Sequence, residues 1–272
     1  MHEATFARDG YQIVRGVLSP ETIASVRGFL EESLAEAFAI MAPWSIRQDD
    51  PDNGRKIAHI LASAAPGTLA DDVKKTMLGH FPLATRLSER LWAVARETRL
   101  QAILREVLGS GRLFMHMPPA ARFVLPHNTG AMVPAHHDVS YNEHMAEFVV
   151  VWVPFVEIDE ACGGMTMFEG SQNATERRNE KSELWLKRVS TTGYRPRVCG
   201  PLSPGDVIVF NKWIIHESRP NVSTRTRLSI DYRFFPGRVV SGKHALDLQS
   251  WRVLPPGASG PNADGYRPES RP

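Results

Sequence analysis

Two segments of the sequence carry residue types that can bind a transition metal. His136 and Asp138 are separated by one residue, and such residues point to the same side of an extended strand. His216 follows the apolar run 207–215, which predicts a strand ending at this histidine. Two imidazoles and one carboxylate form the facial triad of non-haem Fe(II) oxygenases, which leaves metal positions open for other ligands. The pattern therefore predicts an iron site made of His136, Asp138 and His216.

A basic residue follows the distal histidine within another strand-like segment. Arg227 comes eleven positions after His216 (227 − 216), in the strand-like segment 227–235. A guanidinium can bind a carboxylate through two nitrogen atoms, and a buried strand position would shield that pair from water. Ser218 could donate a second hydrogen bond to the same carboxylate. Arg225 competes for this role, because on a strand it would face the same side as Arg227.

Helical patterns dominate the first 110 residues and would support the part of the chain that holds these side chains. Ser19 is suited to cap a helix, with proline at the first helical position and glutamate at the second. Apolar residues at steps of three and four predict the helices, which span about residues 19–39, 69–79 and 84–108. Residues 6–18 predict a short strand, and the charged segment 43–56 predicts a loop.

Strand patterns begin at Gly111, where short apolar and β-branched runs alternate with turn residues. The predicted strands lie within residues 112–117, 122–125, 147–158, 165–170, 206–216 and 227–235. Helices followed by strands indicate an α+β, mainly β fold with a sandwich or barrel. We expect a single domain over 1–254, with a mainly helical part at 1–110 and a β core at 111–237. The polar, breaker-rich residues 255–272 predict a flexible C-terminal tail.

Four sequence blocks agree jointly, in order and spacing, with one protein family. They are FARDGYQIVRGVLSPETI (6–23), HHDVSY (136–141), VVVWVPFVEIDEACGGMTMFEGSQ (149–172) and GDVIVFNKWIIHES (205–218). Together they resemble the phytanoyl-CoA dioxygenase (PhyH) family of Fe(II)/2-oxoglutarate-dependent oxygenases. The resemblance extends over roughly residues 6–237, and its spacing from the distal histidine favours Arg227 over Arg225.

The resemblance implies a fold and an activity. The fold would be a double-stranded β-helix, a cupin-like jelly roll buttressed by N-terminal helices. The activity would be that of a dioxygenase that uses Fe(II), 2-oxoglutarate and O2 to hydroxylate or otherwise oxidise a small molecule of secondary or specialised metabolism, releasing succinate and CO2. His136, Asp138 and His216 carry over as iron ligands, and Arg227 carries over as the anchor for the distal carboxylate of 2-oxoglutarate.

Further residues receive roles from the same comparison. Ser218 carries over as a second contact to the co-substrate. His127 precedes the metal segment and could contact 2-oxoglutarate, although a structural role is equally open. Tyr141 lies where the family has an aromatic residue lining the site. Asp138 favours hydroxylation, because related halogenases lack this carboxylate. The family's Pro-Gly-Ser-His is replaced by Glu-Gly-Ser-Gln at 169–172, which affects inference about the substrate entrance.

Composition argues against several classes of partner. The net charge is +2, and basic residues do not alternate with aromatic ones, so nucleic acid is not expected. No apolar run could span a bilayer, and the N-terminus lacks the apolar core of a signal peptide. Cys162 and Cys199 are too few for a disulfide framework, which favours the cytoplasm. The sequence indicates no oligomeric state.

One alternative function class remains open at this stage. A cupin-like metal-binding protein or isomerase could use the same His/Asp/His site without 2-oxoglutarate. Arg227 discriminates between the two classes, because such a protein has no need of a buried arginine at that spacing.

Overall fold

The computed structural model describes residues 3–65, 67–173 and 189–265. Within these ranges the α-helices precede residue 110, as predicted. They are α1 (Glu3–Asp9), α2 (Pro20–Met41), α3 (Asn53–Ser63), α4 (Asp71–Met77), α5 (Leu83–Leu87) and α6 (Thr98–Leu108). Ser19 caps α2, since its side chain accepts a hydrogen bond from the Thr22 amide at 3.2 Å. None of the described helices is long and apolar enough to cross a membrane.

Local backbone chemistry changed three of the predicted elements. The helix expected over 84–108 is interrupted by a 3-10 segment, Glu89–Arg96, because Ser88 is extended and its hydroxyl caps the Arg90 amide. Helix α3 begins at Asn53, within the segment predicted as a loop. The start of the chain forms α1 before the short strand, where the sequence pattern predicted a strand alone.

The strands follow the predicted apolar runs, with three additions that the pattern did not indicate, at Arg195–Cys199, Ala245–Asp247 and Arg252–Leu254. The strands are β1 (Tyr11–Val14), β2 (Leu113–His116), β3 (Ala120–Val124), β4 (Val149–Pro154), β5 (Gly164–Glu169), β6 (Arg195–Cys199), β7 (Val207–Asn211), β8 (His216–Arg219), β9 (Arg227–Pro236), β10 (Ala245–Asp247) and β11 (Arg252–Leu254). The single strand predicted at 206–216 is two strands, because a turn after Asn211 separates β7 from β8.

The strands form two antiparallel sheets. The large sheet has the order β1-β7-β4-β9-β2-β10-β11, and β3 also pairs with β9. The small sheet has the order β6-β5-β8. Because β7 belongs to the large sheet and β8 to the small one, the turn between them carries the chain from one sheet to the other.

The large sheet separates two hydrophobic cores. Along β4 and β9, Val151 and Tyr232 belong to the core shared with the helices, whereas Val150 and Trp152 belong to the core shared with the small sheet. Successive residues of a strand point to opposite faces, so a strand buried on both faces needs an uninterrupted apolar run. The sequence VVVWVP of β4 meets that requirement.

Part of the predicted C-terminal tail contacts the β core. The Ser259 hydroxyl accepts a hydrogen bond from the Ser241 amide at 2.8 Å, and the Gly257 amide donates to the Ser241 carbonyl at 2.9 Å. Both serines are buried. Residues 255–265 therefore differ from the flexible tail expected there, because they supply hydrogen-bonding partners to a buried turn. Residues 266–272 lie outside the described part of the chain.

Candidate active site

His136 and His216 are joined by their backbones at the site. They form an isolated antiparallel bridge, in which the His136 amide donates to the His216 carbonyl at 3.0 Å and the reverse bond measures 2.9 Å. Their rings lie 4.2 Å apart between centroids. Asp138 is not on a strand, contrary to the prediction, because it begins a 3-10 turn that extends to Tyr141. The bridge and this turn bring all three predicted ligands together.

The three side chains present ligand atoms to a common point. One ligand atom from each of His136, Asp138 and His216 lies within 4.8 Å of the other two. His136 donates from Nδ1 to the Pro134 carbonyl at 2.8 Å, and His216 donates from Nδ1 to the Ile214 carbonyl at 3.2 Å. Since a carbonyl can only accept a hydrogen bond, Nδ1 of each ring carries the proton. Nε2 of each ring therefore keeps the lone pair that can coordinate a metal. The donor set suits Fe(II).

Asp138 is held in its charged form. Burial alone would raise the pKa of its carboxyl, but the neighbouring Arg233 guanidinium holds that pKa below its usual range. Burial lowers the pKa of His216 to about 3, and the neighbouring His136 adds to this effect. A charged carboxylate and a neutral imidazole are the protonation states that metal binding requires.

A cavity of about 280 Å³ opens on these ligands and contains Arg227 in its wall. Arg227 is only 4% exposed. Its Nη1 donates to the Arg219 carbonyl at 3.0 Å, while its buried Nε has no hydrogen-bonding partner within the described residues. Burial, followed by repulsion from Arg122, lowers the pKa of Arg227 to about 10. A buried guanidinium with unused donors suits a carboxylate ligand in this cavity.

The structure separates the two arginines that competed for this role. Arg225 is exposed and forms an ion pair with Asp159 at 2.7 Å. Arg227 begins β9 and faces the cavity, whereas Arg225 precedes the strand and lies on the surface. Of these two arginines, only Arg227 can therefore contact a ligand in the cavity.

The other residues predicted to contact ligands differ in whether they line the cavity. Ser218 and Tyr141 line the cavity, and the Tyr141 ring lies 5.4 Å from the ring of His136. His127 does not line the cavity. It lies in a turn with a positive φ of 60°, and its amide donates to the Asn221 carbonyl. His137 lies against Trp213, with ring centroids 5.7 Å apart.

The segment Glu-Gly-Ser-Gln at 169–172, which differs from the motif expected from the resemblance, has a structural role. Gln172 donates from Nε2 to the carbonyls of Ala7 and Arg8, and the Ser171 hydroxyl accepts from the Ile215 amide. Gln172 thus fixes the end of α1 and does not line the cavity. Most of the charged segment that follows it lies outside the described residues.

Several cavity residues escaped the sequence reasoning. Alternation along β9 places Arg227, Ser229, Asp231 and Arg233 in the cavity wall. The sequence contains this signal, because every second residue after Arg227 on a strand faces the same side, and that alternation identifies Ser229, Asp231 and Arg233. Asp231 accepts no hydrogen bond from the described residues, and burial raises its pKa to about 6. His80, from the helical part, also lines the cavity, and burial lowers its pKa to about 3.

The model of the phytanoyl-CoA dioxygenase (PhyH) family matches residues 6–229 of the sequence. The chain belongs to this family. The match includes all three metal-binding candidates as well as Arg227 and Ser229, and it ends within β9.

Individual relatives are more distant. The chain is 28% identical over 127 residues to 1-deoxypentalenic acid 11-beta-hydroxylase from Streptomyces arenae, a match covering 42% of this chain and 45% of the hydroxylase. The match therefore spans less than half of that relative's length.

Solved structures share the fold. The epimerase SnoN, in complex with Fe3+, alpha ketoglutarate and nogalamycin RO, has a TM-score of 0.57 at 20% identity, covering 88% of this chain and 84% of its own. The carbocyclase SnoK from nogalamycin biosynthesis has the same TM-score and coverage at 16% identity. These likenesses confirm the predicted α+β, mainly β jelly roll with N-terminal helices.

Proposed function

We propose that this protein is an Fe(II)/2-oxoglutarate-dependent dioxygenase that hydroxylates, or otherwise oxidises, a small molecule of specialised metabolism. One observation carries the proposal: the His136, Asp138 and His216 triad lines the same cavity as Arg227, whose buried Nε has no hydrogen-bonding partner within the described residues. The triad meets the needs of a metal, and Arg227 meets those of a carboxylate. Membership of the PhyH family, and the similarity to a hydroxylase from Streptomyces arenae, support the proposed dioxygenase activity.

The protein's own residues have distinct roles in this proposal. His136, Asp138 and His216 would hold iron, and Arg227 would bind the distal carboxylate of 2-oxoglutarate with help from Ser218. Iron and 2-oxoglutarate together supply the oxidising power, with O2 consumed and succinate and CO2 released. The chain contributes by orienting these groups and by keeping water from the reacting centre. Apolar wall residues, including Met132, Val133 and Met165, serve the second purpose.

The substrate would enter the part of the cavity away from Arg227. Tyr141, Trp152 and Asp231 line the wall and offer aromatic and polar contacts. A volume of about 280 Å³ limits the bound part of the substrate to a small molecule or one end of a larger one. We also infer a cytoplasmic location, supported by two cysteines that are buried and free.

The proposal can be tested without knowing the substrate. Metal-free protein would be titrated under anaerobic conditions with Fe(II) and then with 2-oxoglutarate, while the visible spectrum is recorded. We expect a weak metal-to-ligand charge-transfer band that requires both additions. Arg227→Ala should lose the band at modest co-substrate concentration and regain it at high concentration. Iron binding without any such band would contradict the proposal and favour a cupin-like protein that does not use 2-oxoglutarate.

A further inference from the structure

Asp138 has two carboxylate oxygens with very different surroundings. Its Oδ1 lies 3.7 Å from Nε2 of His136, on the side of the candidate iron site. Its Oδ2 faces Arg233, which approaches it with Nε at 3.0 Å and with Nη2 at 2.9 Å. The two oxygens of this side chain therefore face different groups.

The manner of this contact is unusual for an arginine and a carboxylate. In the common fork-to-fork pair, the two nitrogens of the guanidinium each take a different oxygen, so both oxygens are used. Here both nitrogens of Arg233 converge on Oδ2. Oδ1 receives neither nitrogen and stays available to the site shared by His136 and His216.

The contact is protected from water and fixed at both ends. The side chains of Arg233 and Asp138 are 14% and 4% exposed. Arg233 lies in the interior of β9, where it is in register with Val150 of β4. The Asn142 side chain donates to the backbone carbonyl of Asp138 at 3.0 Å, which restrains the 3-10 turn. The backbones of both residues are therefore held in place, one by the sheet and the other by a buried turn.

We propose that Arg233 is a positioning residue that keeps Oδ2 of Asp138 out of the metal's coordination sphere, so that Asp138 binds iron through Oδ1 alone. This inference rests on the proposed iron site. A facial triad is useful to an oxygenase because it leaves positions open for the co-substrate and oxygen. A carboxylate that bound through both oxygens would take one of those positions. Arg233 thus protects the place that 2-oxoglutarate needs.

The test compares crystal structures of the Ni(II) complexes of the wild type and Arg233→Gln. In the wild type we expect one Asp138 oxygen at about 2 Å from the metal, with the other still on Arg233. In the variant we expect both oxygens on the metal. A wild-type complex with both oxygens bound, or with Arg233 released from Asp138, would overturn the inference, and so would a variant whose Asp138 still binds through one oxygen.

Titrations provide a second, independent measurement. Arg233→Gln should weaken binding of 2-oxoglutarate to the Fe(II) protein by about tenfold or more, while its affinity for Ni(II) stays near the wild-type value or rises. Arg233→Lys keeps a charged donor for Oδ2 and should recover most of that loss. Equal 2-oxoglutarate affinity in the wild type and in Arg233→Gln would contradict the inference.

Two controls separate this inference from trivial causes. Arg225→Gln removes an arginine that pairs with a surface carboxylate and should change neither titration. The thermal unfolding midpoints of the metal-free variants show whether Arg233→Gln is folded. If the wild type binds Ni(II) with one Asp138 oxygen but gives no charge-transfer band with Fe(II) and 2-oxoglutarate, the proposed function fails while the role of Arg233 stands.

Discussion

The two histidines of the candidate iron site, His136 and His216, are backbone partners as well as neighbours in space. They exchange two backbone hydrogen bonds, of 3.0 and 2.9 Å. This pairing is an isolated bridge that lies outside the longer strand pairs. These hydrogen bonds fix the separation of the two backbones at the site. They therefore limit how far apart the two imidazoles can move, which favours a constant geometry for a bound metal.

Loss of either histidine should abolish tight metal binding. His136→Ala removes a ligand, and we expect the affinity for Ni(II), measured by calorimetry, to fall by more than about 100-fold, beyond the usual effect of losing an outer partner. His137→Ala is the matched control, because His137 lies against Trp213 and not in the cavity. Similar losses in the two variants would show that His136 acts through folding and not through ligation.

Arg227→Lys should weaken co-substrate binding while leaving metal affinity intact. Lysine keeps the charge but cannot present two parallel donors to a carboxylate. We expect the concentration of 2-oxoglutarate that half-saturates the Fe(II) protein to rise about 10- to 100-fold. Arg225→Lys, two residues away on the surface, should have no effect. A variant at Arg227 with the wild-type half-saturating concentration would refute the assignment of this residue.

Gly163 leaves the space that the Arg227 guanidinium occupies. Its φ is +90°, and a Cβ there would lie 2.4 Å from the Pro220 carbonyl oxygen and 2.9 Å from Nη1 of Arg227. Gly163→Ala should therefore both destabilise the protein and weaken 2-oxoglutarate binding. Gly170→Ala is the control, since Gly170 has a φ of +79° with no atom within 4 Å of a Cβ. It should cost about 1–2 kcal/mol of backbone strain and leave 2-oxoglutarate affinity unchanged.

Asp231→Asn should stabilise the metal-free protein at neutral pH. Burial raises the pKa of Asp231 from 3.8 to about 6 in the folded state, so the folded protein holds its proton more tightly than the unfolded chain does. Stability from this group is complete below about pH 4 and is lost as the pH rises through 6. At pH 7 the loss amounts to at most about 3 kcal/mol, which the asparagine variant avoids.

The pH dependence provides the check on Asp231. Thermal unfolding of the wild type and Asp231→Asn should differ most at pH 7 to 8 and converge near pH 4. Asp159→Asn is the control, because Asp159 is exposed, pairs with Arg225 and has a lowered pKa. A constant difference between Asp231→Asn and the wild type at all pH values would show that the carboxyl does not titrate as stated.

Strand β9 illustrates how far the sequence could be read. Its alternation of apolar and polar residues identified the segment 227–235 as a strand, and the resemblance to the PhyH family favoured Arg227 over Arg225 as the arginine that binds a ligand. The same alternation implies that residues 229, 231 and 233 share that face. The partner of Arg233 could not be predicted, because Asp138 lies 95 residues earlier in the chain. Such contacts depend on which strands and loops become neighbours.

The segment 206–216 shows the opposite limit. Its mainly apolar character predicted one strand, whereas the structure has β7 and β8 in different sheets with a turn between them. The turn falls where the polar pair Asn211 and Lys212 interrupts the apolar run. Hydrophobicity reports burial and not strand pairing, so the pattern contains no signal for a change of sheet. The position of His216 at the start of β8 follows from that turn.

The sequence by itself determined the residue types of the site, the order of helices and strands, and the family to which the chain belongs. Those features depend on local chemistry and short spacings: a capping serine, an apolar period, a His-x-Asp triplet and an arginine eleven positions after a histidine. The tertiary structure alone decided which of Arg225 and Arg227 is buried, that His127 stays outside the cavity, and that Arg233 contacts one oxygen of Asp138. These outcomes depend on the pairing of segments far apart in the chain, and no local pattern encodes the distance between them.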